Sequence, residues 1–317
     1  MLDRSNPYFR QVELVVRVLP LAASEPCFAL KGGTAINLFI CDFPRLSVDI
    51  DLTYLPLDDR DNAFGAIEGG LGRIADKIRR VIQGAKVTAA AGEAGRVQRL
   101  QIAAGGVSIK VEVSPVLRGS IVPAVQMAVS ESVADQFGYV ETQVLAADEL
   151  YAGKMVAALD RQHPRDLFDV MQLLSGGGIT PALMDCFLVY LVSCNRPIAE
   201  LLDPNPLPLQ PVFDQQFKGM TLREISVEEL SQTRDRMIRS ISQQLTDNQK
   251  AFLLSFKSGD PQWKLLEHAI ASELPAVQWK LHNIRKMTPV RRAQALSTLE
   301  QVLRRKARAQ VTAKRSG

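Results

Sequence analysis

Two carboxylates one residue apart, Asp49 and Asp51, close a short segment that opens with two glycines, Gly32 and Gly33. Read as a strand, Ser47-Val48-Asp49-Ile50-Asp51-Leu52 puts Ser47, Asp49 and Asp51 on one face and Val48, Ile50 and Leu52 on the other. Carboxylates about 7 Å apart on one rigid strand face suit a hard divalent cation that completes its shell with phosphate oxygens. Upstream, Gly32-Gly33-Thr34 reads as a sharp turn in which no Cβ keeps a ligand from the backbone N–H groups. Residues 34–40 read as a short helix, so the turn leads into a helix N-terminus, where unpaired N–H groups favour an anion such as phosphate. The chemistry is that of a phosphate-bearing substrate handled with a metal. A P-loop is excluded because no Gly-x4-Gly-Lys-Ser/Thr is present, and no GxGxxG follows a strand.

Two further groups of residues have the types such a reaction uses. Ser108-Ile109-Lys110-Val111-Glu112-Val113-Ser114 alternates, so Lys110, Glu112 and Ser114 share a face opposite Ile109, Val111 and Val113. A glutamate between valines in mid-strand fits a face that meets solvent or a site. Later, Lys154 sits on an otherwise apolar helical stripe, where its ammonium needs an anionic partner. It precedes Arg165-Asp166-Leu167-Phe168-Asp169, where Asp166 and Asp169 share one helix face at i, i+3.

The Gly-Gly-Thr turn, a spacer, and Asp-x-Asp on a strand resemble the first motif of the polymerase-β-like nucleotidyltransferase superfamily. The wording KGGTA followed by Ser-x-Asp-Ile-Asp-Leu is similar to the AbiEii/AbiGii group of abortive-infection toxins within it, and so is Glu-Leu-x3-Lys followed by RDLFD. The recognisable motifs span residues 30–170. The resemblance implies an α+β fold: a polymerase-β-like nucleotidyltransferase domain over residues 1–175, with a mixed sheet flanked by helices, then a helical domain over 176–317. It implies Mg2+-dependent transfer of a nucleoside monophosphate from a nucleoside triphosphate to an RNA (tRNA-like) or protein acceptor, by a toxin paired with a separately encoded antitoxin. On the matching motifs it implies that Asp49, Asp51 and Glu112 bind metal and act in catalysis. Lys31, Gly32, Gly33, Thr34 and Ser47 then surround the nucleotide, Lys154 contacts the triphosphate, and Asp169, with Asp166 as the alternative, is a further essential carboxylate. Glutamate at 112 departs from the aspartate usual there. Two other functions fit the same residues: a small-molecule acceptor, as in antibiotic adenylyltransferases, and a nucleotide- or protein-binding module without catalysis. The basic C-terminus weighs against the first, and intact Asp49, Asp51 and Lys154 against the second.

The elements that must position these groups are legible from periodicity. Residues 8–23 and 62–83 read as amphipathic helices. Residues 28–30, 85–90, 96–103 and 106–117 read as strands, with a hairpin at Gly105-Gly106. Beyond Gly176-Gly177-Gly178 the chain turns helical, with helices expected over 181–193, 226–255 and 275–308 and an irregular proline-rich link at 203–211. Trp263 and Trp279 read as packed between helices. At 317 residues, 46% apolar and 23% charged, the chain has material for about two domains with real cores. Its four cysteines, without C-x-x-C spacing, read as buried thiols of a reducing compartment. The three histidines have no zinc-ligand spacing. With no leader and no apolar run of about 18 residues, a cytoplasmic location and no membrane partner are expected. Charge is uneven: eleven Lys/Arg against one acid from residue 280 onward leaves that segment at +10 within a chain of +4. Such a run suits a polyanion.

Overall fold

The computed structural model describes residues 6–92 and 95–315, with side chains described for 6, 8–92 and 95–305. The side chains of Lys306, Arg308, Lys314 and Arg315, four members of the basic run, lie outside the described residues. The chain forms two compact units, Met1–Leu150 with Phe217–Glu224 and Tyr151–Gln216 with Ile225–Gly317. The class is α+β, a mixed sheet with helices followed by a mostly helical region. Among the described residues no helix is long and apolar enough to cross a membrane.

The first unit is built on a seven-stranded sheet. Its strands are β1 (Phe28–Lys31), β2 (Asp49–Tyr54), β3 (Lys86–Ala91), β4 (Val97–Ala104), β5 (Val107–Val113), β6 (Val125–Ala128) and β7 (Glu141–Val144), in the order β3-β4-β5-β2-β1-β7-β6. β2 runs parallel to β5 and antiparallel to β1, while β1 runs parallel to β7. The alternation in β2 and β5 is the reason for a two-faced sheet. Ile50, Leu52, Ile109, Val111 and Val113 are all buried, and helices α1 (Pro7–Ala23) and α3 (Arg60–Val81) pack on the sheet. The charged residues of the same strands take the opposite face. β6, β7 and the short helix α4 (Glu131–Phe137) between them carry no strong periodicity, and sequence reading assigns them nothing.

The chain between β1 and β2 is unusual. Gly32–Ala35 forms one α-turn (α2) that runs on as a π-helix over Ile36–Ile40, so the expected helix is present but wider in its second half. The extended stretch that follows is backed by a distant segment. Leu46 N–H donates to Met220 O at 2.7 Å, Leu222 N–H donates to Pro44 O at 3.1 Å, and Arg45 bridges Thr221. Phe217 and Met220 are each 1% exposed, which explains why Phe217–Glu224 belongs to the first unit.

The second unit is helical: α5 (Ala147–Asp160), α6 (Pro164–Gly176), α7 (Pro181–Ser193), α8 (Ile198–Leu202), α9 (Gln210–Gln216), α10 (Val227–Gln244), α11 (Asp247–Ser258), α12 (Pro275–Arg285) and α13 (Pro289–Arg315). Two expected long helices are each divided. Residues 226–255 break at Leu245-Thr246, where Thr246 and Gln249 form a reciprocal capping box that starts α11. Residues 275–308 break before Pro289, which opens α13 as a first-turn proline. Trp263 packs on Phe252 and Phe256 as expected. Trp279 does not: it is 54% exposed and stacks on His282. Lys280, counted with the basic run, points inward and donates to the carbonyls of Cys194, Asn195 and Arg196 at 2.6–2.9 Å.

Candidate active site

The strand register assembles the first site. Lys31 pairs with Asp51, Asp51 with Glu112 and Glu112 with Arg99, so one row across β1, β2, β5 and β4 reads Lys31, Asp51, Glu112, Arg99. The next row reads Asp49, Lys110, Gln101. Laterally paired residues point to the same face, so two cationic side chains from β4 and β5 join the carboxylates that the sequence singles out. Arg99 grips Glu112 bidentately at 2.9 and 3.1 Å, and Lys110 Nζ stands 3.8 Å from Asp49 Oδ1.

The glycine turn is pressed onto this row. Gly32 has φ +74°, and a Cβ there would stand 2.6 Å from Asp51 Oδ2. A Cβ on Gly33 would stand 2.6 Å from Arg45 Nη2 and 3.0 Å from Ser47 Oγ. Thr34 is 1% exposed; its hydroxyl donates to Asp49 O and lies 3.0 Å from Ser47 Oγ. Thr34 and Ser47 thus tie the turn to the start of β2. Both glycines are required by contact, and Gly32 by its backbone angle as well. Gly32→Ala is therefore expected to lower turnover roughly a hundredfold by displacing Asp51. Its circular dichroism should match wild type, and single-turnover kinetics would show the loss.

Asp49 and Asp51, on one strand face beside a cradle that a Cβ would fill, fit a divalent ion whose other ligands come from phosphate. Glu112 shares their face, yet its carboxylate is turned to Arg99. No three His, Cys, Asp or Glu side chains among the described residues are grouped to hold a metal. Lys31 lies amid acids. Burial pushes its ammonium down, and the charges of Asp51, Glu149 and Glu112 oppose that shift. Glu149, 2% exposed, accepts from the N–H groups of Ile121 and Val122 at 3.0 and 3.3 Å.

A family model described as Nucleotidyl transferase AbiEii toxin, Type IV TA system, matches residues 13–283. The chain belongs to the AbiEii family. It is therefore the nucleotidyltransferase toxin of a toxin–antitoxin pair, with a nucleoside triphosphate as substrate and an antitoxin as counterpart. No curated protein matches the sequence. Among solved structures the chain is similar to MenT4, a nucleotidyltransferase toxin from Mycobacterium tuberculosis H37Rv. The two are 14% identical over 94% of this chain and 92% of that one, with a TM-score of 0.48.

The remaining motif residues of this AbiEii chain lie in the helical unit. Pro164 opens α6, and His163 caps it by accepting from Arg165 N–H at 3.1 Å. Asp166 and Asp169 are each 0% exposed, one helical turn apart, and face Lys154 on α5. Lys154 Nζ donates to Asp166 Oδ1 at 2.8 Å and stands 3.1 Å from Asp169 Oδ2. Arg161 adds a two-point contact to Asp166 at 2.6 and 3.1 Å. Burial pushes the Asp166 carboxyl up, but the Lys154 and Arg161 charges outweigh it and hold the group well below the usual carboxylate range. Asp166 and Asp169 thus belong to a buried cluster with Lys154, which Arg161 closes on the Asp166 side.

Sequence reading of this AbiEii site misses Arg45 and Arg99, and quotes Glu149 in a motif without giving it a role. Arg45 is 2% exposed behind Gly33, with Nη1 donating to Leu46 O at 2.9 Å. A signal for it exists, since it is the one charge in the short run Phe43-Pro44-Arg45-Leu46 before the carboxylate strand. Arg99 has none, because only register places it opposite Glu112.

Proposed function

We propose that this toxin transfers a nucleoside monophosphate from a nucleoside triphosphate to an RNA, a tRNA-like acceptor, with Asp49 and Asp51 as ligands of a Mg2+ ion. The observation that carries the reading is the row Lys31-Asp51-Glu112-Arg99 with Gly32 closed onto Asp51. When bound, the ion neutralises triphosphate charge and eases deprotonation of the acceptor hydroxyl. The chain's own groups do the rest. Gly32 and Gly33 leave room for the β- and γ-phosphates against the backbone, while Thr34 and Ser47 fix that turn. Lys31 and Lys110 offset negative charge next to the carboxylates. Arg99 orients Glu112 on the same face. The acceptor oxygen attacks the α-phosphorus, the bond to the β-phosphate oxygen breaks, and pyrophosphate leaves. Lys154 and Asp169 keep their motif-based roles in nucleotide handling as part of this proposal. Nucleoside triphosphates as donors suit a cytoplasmic location.

The RNA acceptor is supported by the basic C-terminal segment. Arg285, Lys286 and Arg291 on α12 and the start of α13 are exposed, and such charges attract a phosphate backbone without reading its sequence. Incubation with each of four α-labelled nucleoside triphosphates, Mg2+ and total RNA is expected to move label onto a small RNA. The transfer should weaken steeply with added salt. Label on a small molecule or a protein, with RNA unlabelled, would replace the acceptor and leave the transferase reading in place.

A further inference from the structure

The helical unit contains a pocket that nucleotidyl transfer does not use. Its volume is about 330 Å³, at the small-ligand end of the usual range. Ile198, Ala199, Met287, Ala295 and Leu299 give it apolar walls, from α8, the α12–α13 junction and α13. Into it comes Lys257 of α11, 7% exposed. Every other buried lysine or arginine side chain described here meets a carboxylate, carbonyl or side-chain acceptor, such as Lys154 on two aspartates or Lys280 on three carbonyls. Among the described residues Lys257 has none. Burial alone pushes its ammonium down, and Lys280 stands near enough for the two charges to repel. A largely buried ammonium that faces a pocket without a protein acceptor carries a desolvation cost, and an anion seated beside it offsets part of that cost. At the mouth the charges of Arg291 and Glu200 balance, so the pocket's uncompensated charge is the single one on Lys257.

We propose that this pocket is a binding site for a small monocarboxylate with an apolar body, its carboxylate on Lys257 Nζ and its body against Ile198, Met287 and Leu299. The site does not use the carboxylate face of the first unit, and it shares Arg291 with the basic segment proposed to meet RNA.

Isothermal titration of the full chain with hexanoate, and with hexan-1-ol as its neutral counterpart, tests the site. Wild type is expected to prefer hexanoate by roughly tenfold, the worth of a hydrogen bond to a charged group, and hexanoate should raise Tm. Lys257→Met should lose that preference and melt above unliganded wild type, since it removes a buried charge that lacks an acceptor. Ala295→Phe, which fills the pocket from a partly exposed position on α13, should abolish hexanoate binding with the fold intact. Absence of hexanoate binding to wild type overturns the proposal. So does a preference for hexanoate that survives in Lys257→Met, or binding that survives in Ala295→Phe.

Discussion

Replacing Asp49 by alanine is expected to cut nucleotidyl transfer by about a thousandfold or more, since a lost charge-stabilising group in a preorganised site is worth ~10²–10³ and this one also loses a metal ligand. The fold should hardly notice. Asp49 is partly exposed, and its ion pair with the half-exposed Lys110 at 3.8 Å is worth under about 1 kcal/mol. Steady-state label transfer beside a thermal melt separates the two effects. Asp51→Asn should behave alike in transfer. Glu112→Gln should fall between, because that side chain is held by Arg99 rather than grouped with the aspartates. Transfer by Asp49→Ala at wild-type rate would sink the mechanism, and an unfolded Asp49→Ala would show that the carboxylate belongs to the scaffold.

The second large effect is on stability. Lys154→Met leaves Asp166 and Asp169 buried without their shared ammonium, and breaking a buried ionic cluster at one partner costs about 3–5 kcal/mol. Asp166→Asn should cost less, because an amide still accepts a bond from Lys154 or Arg161. The acid limb of stability carries the same signature. The folded Asp166 carboxyl is held below its ordinary value of 3.8. Its contribution is therefore complete above that value and is lost as pH falls below it. Lys154→Met should flatten that limb in urea melts taken at several pH values. Activity separates the cluster's two roles. A Lys154→Met, Asp166→Asn, Asp169→Asn triple variant removes charge on both sides. Should it fold yet fail to bind nucleoside triphosphate, Lys154 reaches the substrate; should it fold and bind normally, the cluster is architecture.

Legibility in the sequence followed the range of the interactions. Asp49, Asp51 and the apolar partners Ile50 and Leu52 were readable because a strand's period of two depends only on neighbours. Gly32 and Gly33 were readable as a turn for the same reason, although the contact that demands Gly32, Asp51 Oδ2, is nineteen positions away. Glu112 was placed on the right face from its own strand, but its partner was not, since β4 register decides that Arg99 stands opposite. Lys154 reads as an ammonium that needs an anion, and Asp166 and Asp169 stand beside it. Sequence alone does not choose between a phosphate and carboxylates of the following helix. The single helix expected over 226–255 gives way to two because Thr246-Asp247-Asn248-Gln249 carries a capping signature that outweighs continuing periodicity. The backing of residues 44–46 by Met220, Thr221 and Leu222 could not be read at all, because no local pattern links positions so far apart.

That backing has a consequence for how the toxin comes into being. The hydrogen bonds that fix Pro44 to Leu46, just ahead of the carboxylate strand, come from Met220 and Leu222. A ribosome that has released everything through β7, the last strand of the sheet, has therefore still not supplied the piece that backs residues 44–46. The chain must grow through Glu224 first. A chain stopped before that point is expected to form β2 against β1 and β5 yet lack the two hydrogen bonds that fix the approach to it at Pro44 and Leu46.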